Sequence, residues 1–263
     1  MKSKYNWSKH STVILSVFIA TILLIGYIWW PLLRNYLQQI DPEVPICQQV
    51  DWLLIGNFLV MSILVTLGAD LRYDIPFVVV GLMGGFLIES WGTRTGLWFY
   101  YTLETPPLWI IPAWPIAVLS VNRLSRYFKH VSRKIPERCF RILFWSVYGI
   151  FYVFLLWFVW PTIMHPMTFF ALVLCMFFII TCKNYRSGLI IFMTGSLLGY
   201  FLERWGTTRL CWTYHIPGTP PVITVLAHGM ASMAIWCSFQ IMLVLLRKLP
   251  FDSIKHNLPE TKL

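Results

Sequence analysis

Residues 85–93 read Gly-Phe-Leu-Ile-Glu-Ser-Trp-Gly-Thr, and residues 199–207 read Gly-Tyr-Phe-Leu-Glu-Arg-Trp-Gly-Thr. The match continues downstream, where Trp98, Tyr100 and Thr105-Pro106-Pro107 correspond to Trp212, Tyr214 and Thr219-Pro220-Pro221. Glu, Trp, Gly and Pro recur together without a gap across the main block, which predicts two sequence-related halves. We place these halves at residues 1–130 and 131–263.

The composition predicts that both halves lie in a membrane. The chain is 57% hydrophobic and 12% charged, with a mean hydropathy of +0.65, whereas a soluble domain carries about 25% charged residues. Eight runs are long enough to approach the ~30 Å of hydrocarbon in a bilayer: 11–33, 50–69, 75–90, 108–124, 140–160, 166–182, 187–203 and 221–246. We therefore predict an all-α integral membrane protein with about eight transmembrane helices, arranged as two parallel four-helix repeats.

The basic residues predict the orientation of these helices. If the N-terminus is inside, only Arg34, Arg94, Arg204 and Arg209 of the 21 Lys and Arg residues lie outside. Inner loops of membrane proteins are enriched in Lys and Arg, so both termini should be cytoplasmic, in the inner membrane of the cell. The basic segment 123–141 then contacts anionic lipid, and the net charge of +10 requires no nucleic acid partner.

Three ionisable residues are the candidates for catalysis. Glu89 and Glu203 occupy the same motif position, which we expect at the outer ends of the short third and seventh helices, before the following loops. Burying an ionisable group in a membrane costs roughly 2.5–3.5 kcal/mol, so such residues tend to face a cavity or a partner. His228 joins them because it lies in the eighth run, where the first half has Trp114.

The surrounding motif residues are expected to bind the substrate. An aromatic wall stabilises a cation or holds an apolar ligand. The substrate-binding candidates are Trp91, Arg94, Trp98, Tyr100, Trp205, Arg209, Trp212 and Tyr214. Two alternatives remain open: the glutamates can form structural ion pairs with nearby arginines, and the rings can form an interfacial aromatic belt.

Other signals are weak. The six cysteines show no metal-binding spacing, and the chain has no nucleotide-binding motif, so we expect no metal and no other cofactor. Cys47 and Cys211 fall in loops on the same predicted side, where a disulfide is conceivable.

One half also resembles a known family. Glu89 and Gly92 precede Thr93-Arg94-Thr95-Gly96, Phe99-Tyr100-Tyr101-Thr102, Pro107-Leu108 and Ile111-Pro112-Ala113-Trp114. This stretch resembles the membrane-embedded carotenoid-biosynthesis proteins that include the carotenoid hydratases of the bacterioruberin-type pathway. It departs from them at Leu97-Trp98-Phe99, where the family has Pro-Phe-Gly.

The resemblance implies an enzyme that adds water to a terminal double bond of a lipophilic isoprenoid. An acid protonates the alkene, a tertiary cation forms and water captures it. Two other functions stay open on the residues alone: a transporter or lipid-binding protein that uses the same carboxylates, and a subunit whose aromatic loops dock a partner.

Overall fold

The computed structural model describes residues 7–248 and shows a bundle of helices with a small antiparallel strand pair at one end. The helices are α1 (Lys9–Ile28), α2 (Trp30–Gln38), α3 (Ile46–Gln49), α4 (Trp52–Thr66), α5 (Leu71–Arg94), α6 (Ala113–Val131), α7 (Glu137–Val159), α8 (Pro166–Thr181), α9 (Tyr185–Thr208) and α10 (Val222–Lys248). The strands are β1 (Trp98–Tyr100) and β2 (Trp212–Tyr214). Short 3₁₀ turns occur at Leu108–Ile110, Ser132–Lys134 and Trp160–Thr162.

Each of the eight predicted apolar runs is mainly helical, so the all-α prediction is confirmed. Run 11–33 is divided between α1 and α2 at Trp29, and run 108–124 begins in a 3₁₀ turn before α6. Five stretches are long and apolar enough to cross a membrane: Lys9–Ile28, Leu71–Arg94, Leu108–Lys134, Glu137–Thr162 and Val222–Arg247. Helices α4 and α8 are apolar but shorter. Both chain termini lie outside the described residues, as do the basic residues Lys2, Lys4, Lys255 and Lys262 that entered the orientation argument.

The third and seventh predicted helices are longer than expected. Helices α5 and α9 each contain 24 residues, so the Glu-x-Trp-Gly-Thr motif is helical rather than part of a loop. The motif threonines fit this extension, because Thr93 and Thr207 each donate a hydrogen bond of 2.6 Å to the glutamate carbonyl four residues earlier. In the first half the chain leaves the helix at Gly96, whose φ of +73° suits glycine.

Glycines bring the motif helices close to their neighbours. A Cβ atom on Gly85 of α5 would lie 2.4 Å from Cγ of Trp114 in α6. At the same motif position in α9, a Cβ on Gly199 would lie 2.5 Å from Cβ of His228 in α10. Neither site has room for alanine, and this close packing fixes Trp114 and His228 beside the motif helices.

The two strands join the halves. They pair antiparallel with Trp98 opposite Tyr214, Phe99 opposite Thr213 and Tyr100 opposite Trp212. The strands begin after the turns that end α5 and α9, and the ladder places the motif aromatics of each half directly against those of the other. The sequence did not predict these strands. We call this end of the bundle the motif end.

The other end of the bundle contains a buried ion pair. Arg123 Nη2 of α6 donates to both carboxylate oxygens of Asp74 in α5, at 2.6 and 2.7 Å, and both side chains are buried. The prediction that segment 123–141 is a loop is therefore wrong for residues 123–131, which continue α6, and for 137–141, which begin α7. The prediction of a lipid contact is wrong for Arg123, which is buried. Arg123 points inwards because its guanidinium compensates the charge of the buried Asp74 carboxylate.

The conceivable disulfide is not formed. Cys47 is exposed, Cys211 is buried, and both are free thiols.

Candidate functional site

Glu89 is buried inside the bundle and held by three neutral donors. Its Oε2 accepts from Trp98 Nε1 at 3.0 Å, and its Oε1 accepts from Tyr100 OH and Trp114 Nε1, both at 3.0 Å. Two of the donors come from β1 and the third from α6. Because an indole nitrogen only donates, both oxygens of Glu89 act as acceptors, as in an ionised carboxylate.

Glu203 has the same arrangement with one change. Its Oε2 accepts from Trp212 Nε1 at 3.1 Å, and its Oε1 accepts from Tyr214 OH at 2.7 Å. The third partner is His228, whose Nε2 lies 2.8 Å from Oε1. The imidazole of His228 is 23% exposed and the carboxylate of Glu203 only 3%. Unlike the indole of Trp114, an imidazole can accept a proton as well as donate one.

The two carboxylates belong to one cluster. The rings of Trp114 and His228 stack with their centroids 5.8 Å apart and their planes 18° apart, so the third partners of the two glutamates touch. The donors also meet across the strand pair: the Tyr100 and Trp212 centroids are 5.9 Å apart. A second such contact joins Trp98 and Tyr214 at 6.3 Å.

The glycine of each motif makes room for the donors. A Cβ on Gly92 would lie 1.9 Å from the Trp98 ring, and a Cβ on Gly206 would lie 2.0 Å from the Trp212 ring. The motif glycine therefore lets the strand tryptophan fold back against the helix and reach the glutamate one turn earlier. This steric requirement accounts for the Glu-x-Trp-Gly spacing.

The two tyrosines stay protonated. Burial, and then the charge of Glu89, holds the pKa of Tyr100 well above its ordinary value. Burial, and then the charge of Glu203, raises the pKa of Tyr214 in the same way. Both phenols are therefore fixed hydrogen-bond donors to the carboxylates at any physiological pH.

The cluster forms part of the wall of an apolar cavity of about 590 Å³. Glu89, Glu203 and His228 all line it. Six of the eight predicted substrate-binding residues line it as well: Trp91, Trp98, Tyr100, Trp205, Trp212 and Tyr214. The rest of the wall is mainly aliphatic and aromatic, so the cavity combines two carboxylates and an imidazole with an apolar volume suited to a small lipophilic ligand.

The remaining two substrate-binding candidates lie outside the cavity lining. Arg94 is exposed at the end of α5. Arg209 Nε instead donates to Asp51 Oδ2 at 2.9 Å. The alternative of a glutamate–arginine ion pair is also wrong, because indole, phenol and imidazole groups occupy the oxygens of both glutamates. Arg204, the third candidate partner, donates to the carbonyl of Thr219.

Three residues near the site were not among the predicted site residues: Trp114 and Trp29, which line the cavity, and Asp51, which contacts the lining residue Trp205. Trp114 was recognisable as the counterpart of His228, and its ring donates directly to Glu89. Trp29 stacks on Trp205 with centroids 4.9 Å apart. Asp51 positions Trp205 by accepting its Nε1–H at 2.9 Å. The last two depend on contacts between distant parts of the chain and leave no local sequence signal.

Comparisons of the chain with protein-family models, with curated proteins and with solved structures found no match.

Proposed function

We propose that the protein is an integral membrane enzyme that adds water to a double bond of an isoprenoid or similar lipid. The observation that carries this proposal is the convergence of Glu89 and the Glu203–His228 pair on one apolar cavity. The site supplies a proton-exchanging pair, a second carboxyl group held by three hydrogen-bond donors, and aromatic walls, which are the elements that alkene hydration needs.

The two halves divide the chemistry. The proton shared by Glu203 and His228 passes to the terminal alkene carbon, forming a C–H bond and leaving a tertiary carbocation. Glu89 accepts hydrogen bonds from three donors, which favour its ionised form, and in that form it stabilises the cation together with the indole faces. A water molecule attacks the cation, and the proton it loses returns to the Glu203–His228 pair. The net change is alkene plus water to tertiary alcohol.

The proposal includes eight membrane spans in two repeated halves, with the motif end on the outer side. The strand pairing supports the repeat, because Phe99 and Thr213 lie opposite each other and hold the same position relative to the two motifs. Such a register has local twofold symmetry, as expected for two parallel halves related by an axis along the membrane normal. Two single-cysteine variants, Ser132→Cys and Thr105→Cys, test the orientation, since an impermeant reagent applied from outside should label only the Thr105→Cys variant.

The reaction can be tested directly in lipid nanodiscs. The purified protein is incubated with linear polyene isoprenoids in ¹⁸O-water, and products are scored by mass spectrometry for one added ¹⁸O-labelled water. Glu203→Gln and His228→Trp should abolish incorporation, the latter because it converts the second site into a copy of the first. Glu137→Gln, an exposed carboxylate bonded to Arg186 at the other end, is the matched control and should retain activity.

The same experiment separates the alternative of a transporter or lipid-binding protein. Binding of the isoprenoid without ¹⁸O incorporation, and with equal affinity in wild type and Glu203→Gln, would reject the enzyme and support that alternative.

A further inference from the structure

The cavity reaches two seams between helices, and each seam joins a helix of the first half to a helix of the second. On one side it is lined by α5 and α8, and on the other by α4 and α9. The α8 lining forms one continuous helix face: Pro166, Met167, Phe170, Ala171, Leu174, Cys175 and Phe178. The α4 lining is shorter: Leu54, Asn57, Phe58 and Met61.

The α5–α8 seam is open to the outside of the bundle. Leu87 of α5 and Phe170 of α8 both line the cavity, yet they are 53% and 59% exposed. A side chain that faces the cavity and the surroundings at once marks the place where the wall is one residue thick. Both side chains are apolar, so this opening suits a hydrocarbon environment rather than water.

The α4–α9 seam is closed by polar contacts. Phe201 follows Gly199 by the same step as Leu87 follows Gly85, but its carbonyl accepts a hydrogen bond from Asn57 Nδ2 of α4 at 3.3 Å. Closer to the motif end, Asp51 at the start of α4 accepts from Trp205 Nε1 and Arg209 Nε, both at 2.9 Å. These contacts fasten α4 to α9 at two levels.

Within the described residues, one side-chain hydrogen bond crosses the α5–α8 seam. Trp91 Nε1 donates to Thr168 Oγ1 at 3.1 Å, at the motif end of the opening. Trp91 is the motif counterpart of Trp205, so a hydrogen bond from the motif tryptophan crosses both seams near the motif end. The hydrogen bond from Asn57 to the Phe201 carbonyl, farther from the motif end, has no counterpart at Leu87 among the described residues.

We propose that the α5–α8 seam is a portal through which an isoprenoid chain enters sideways from the bilayer, reactive end first. This inference rests on the proposed function. Leu87, Phe170 and Glu89 all line the same cavity, so a chain end that passes between Leu87 and Phe170 enters the space that contains the carboxylate cluster. A cavity of about 590 Å³ encloses only a drug-sized ligand, and the rest of a longer chain stays in the lipid. The substrate is therefore a slender hydrocarbon that reacts at an end.

The portal is tested by the rate at which a probe enters the protein in nanodiscs. All-trans-retinol is the probe, because energy transfer from the cavity tryptophans to retinol reports its arrival. Leu87→Trp should plug the opening and slow association by about tenfold or more, since the plug must move before entry. Phe170→Ala should speed association and dissociation together. Leu59→Trp on α4 is the control, because Leu59 is as exposed as Phe170 but lies outside the cavity lining.

The outcomes separate the portal from the proposed function. Unchanged association in Leu87→Trp, with normal binding, would overturn the portal and leave the function standing. If wild type fails to bind retinol, that result counts against the proposed isoprenoid ligand. The portal is then judged with a small apolar aryl diazirine, which generates a carbene on illumination. Labelling of Ala171 that falls sharply in Leu87→Trp but not in Leu59→Trp supports the portal, and equal labelling in all three proteins refutes it.

Discussion

Replacing Gly206 with alanine tests the central geometric claim, that the motif glycine makes room for the strand tryptophan. The new Cβ would lie 2.0 Å from Trp212 Cζ2 and 2.1 Å from Cη2, whereas carbon atoms in contact stay about 3.5–4.0 Å apart. The ring must therefore move by about 1.5 Å or more, and its 3.1 Å hydrogen bond to Glu203 does not survive that displacement.

The expected cost follows from three contributions. Overpacking costs about 1–3 kcal/mol and loss of a hydrogen bond to a charged group about 1.5–3 kcal/mol, while alanine regains about 1 kcal/mol of helix propensity. We expect Gly206→Ala to lower the free energy of unfolding by about 2–4 kcal/mol, measured by denaturant titration in detergent. Gly149→Ala is the control, because a Cβ there meets nothing within 4 Å.

A double-mutant cycle identifies the cause. In a Trp212→Leu background the indole is gone, and Gly206→Ala should cost less than about 1 kcal/mol. An equally large cost in both backgrounds would show that the glycine serves another purpose. A loss in Gly149→Ala as large as in Gly206→Ala would show that the effect is a general response of these helices.

Three further predictions concern groups away from the Gly206 contact. Arg123→Leu should lower the free energy of unfolding by about 3–5 kcal/mol, because it leaves the buried Asp74 carboxylate without its charged partner. The double variant Asp74→Leu/Arg123→Met should recover most of that loss in thermal melts, and no recovery would contradict the ion-pair argument. Burial raises the pKa of Cys211 to about 12, so little of this thiol is thiolate at any pH below that value. At pH 8, maleimide should therefore modify the exposed Cys47 far faster than Cys211, measured by peptide mapping. Equal rates would contradict the buried position of Cys211. Trp114→Phe keeps an aromatic ring beside His228 but removes a hydrogen-bond donor to Glu89. Turnover should fall by about tenfold or more, because a hydrogen bond to a charged group contributes about 1.5–3 kcal/mol. Unchanged turnover would mean that Glu89 needs no third donor.

The sequence predicted the helices well because the length and hydrophobicity of an apolar run are properties of that segment alone. Runs such as 11–33 and 140–160 are apolar over enough residues to predict a helix without reference to any neighbour. The recurrence of Glu89 and Glu203 predicted a shared site for the same reason, since a buried carboxylate requires partners wherever it lies.

The remaining features depend on contacts between distant segments. The strands at Trp98 and Trp212 are three residues long, and each exists because the other half supplies its partner. Arg94 and Arg209 looked like partners of the glutamates because they are close in sequence, but the indoles satisfy the carboxylates and leave the arginines at the surface or with Asp51. The pairing of Arg123 with Asp74 likewise spans two helices that no local pattern connects.

The strand pair has a consequence for stoichiometry. Each strand carries two of the three donors to the carboxylate of its own half, yet it is hydrogen-bonded to the strand of the other half. A ligand that displaces Trp98 or Tyr100 should therefore also shift the donors to Glu203 on the paired strand. In the same way, a ligand that displaces Trp212 or Tyr214 should shift the donors to Glu89. The two carboxylate sites should therefore respond to a ligand together, and a binding titration should saturate at one ligand per chain.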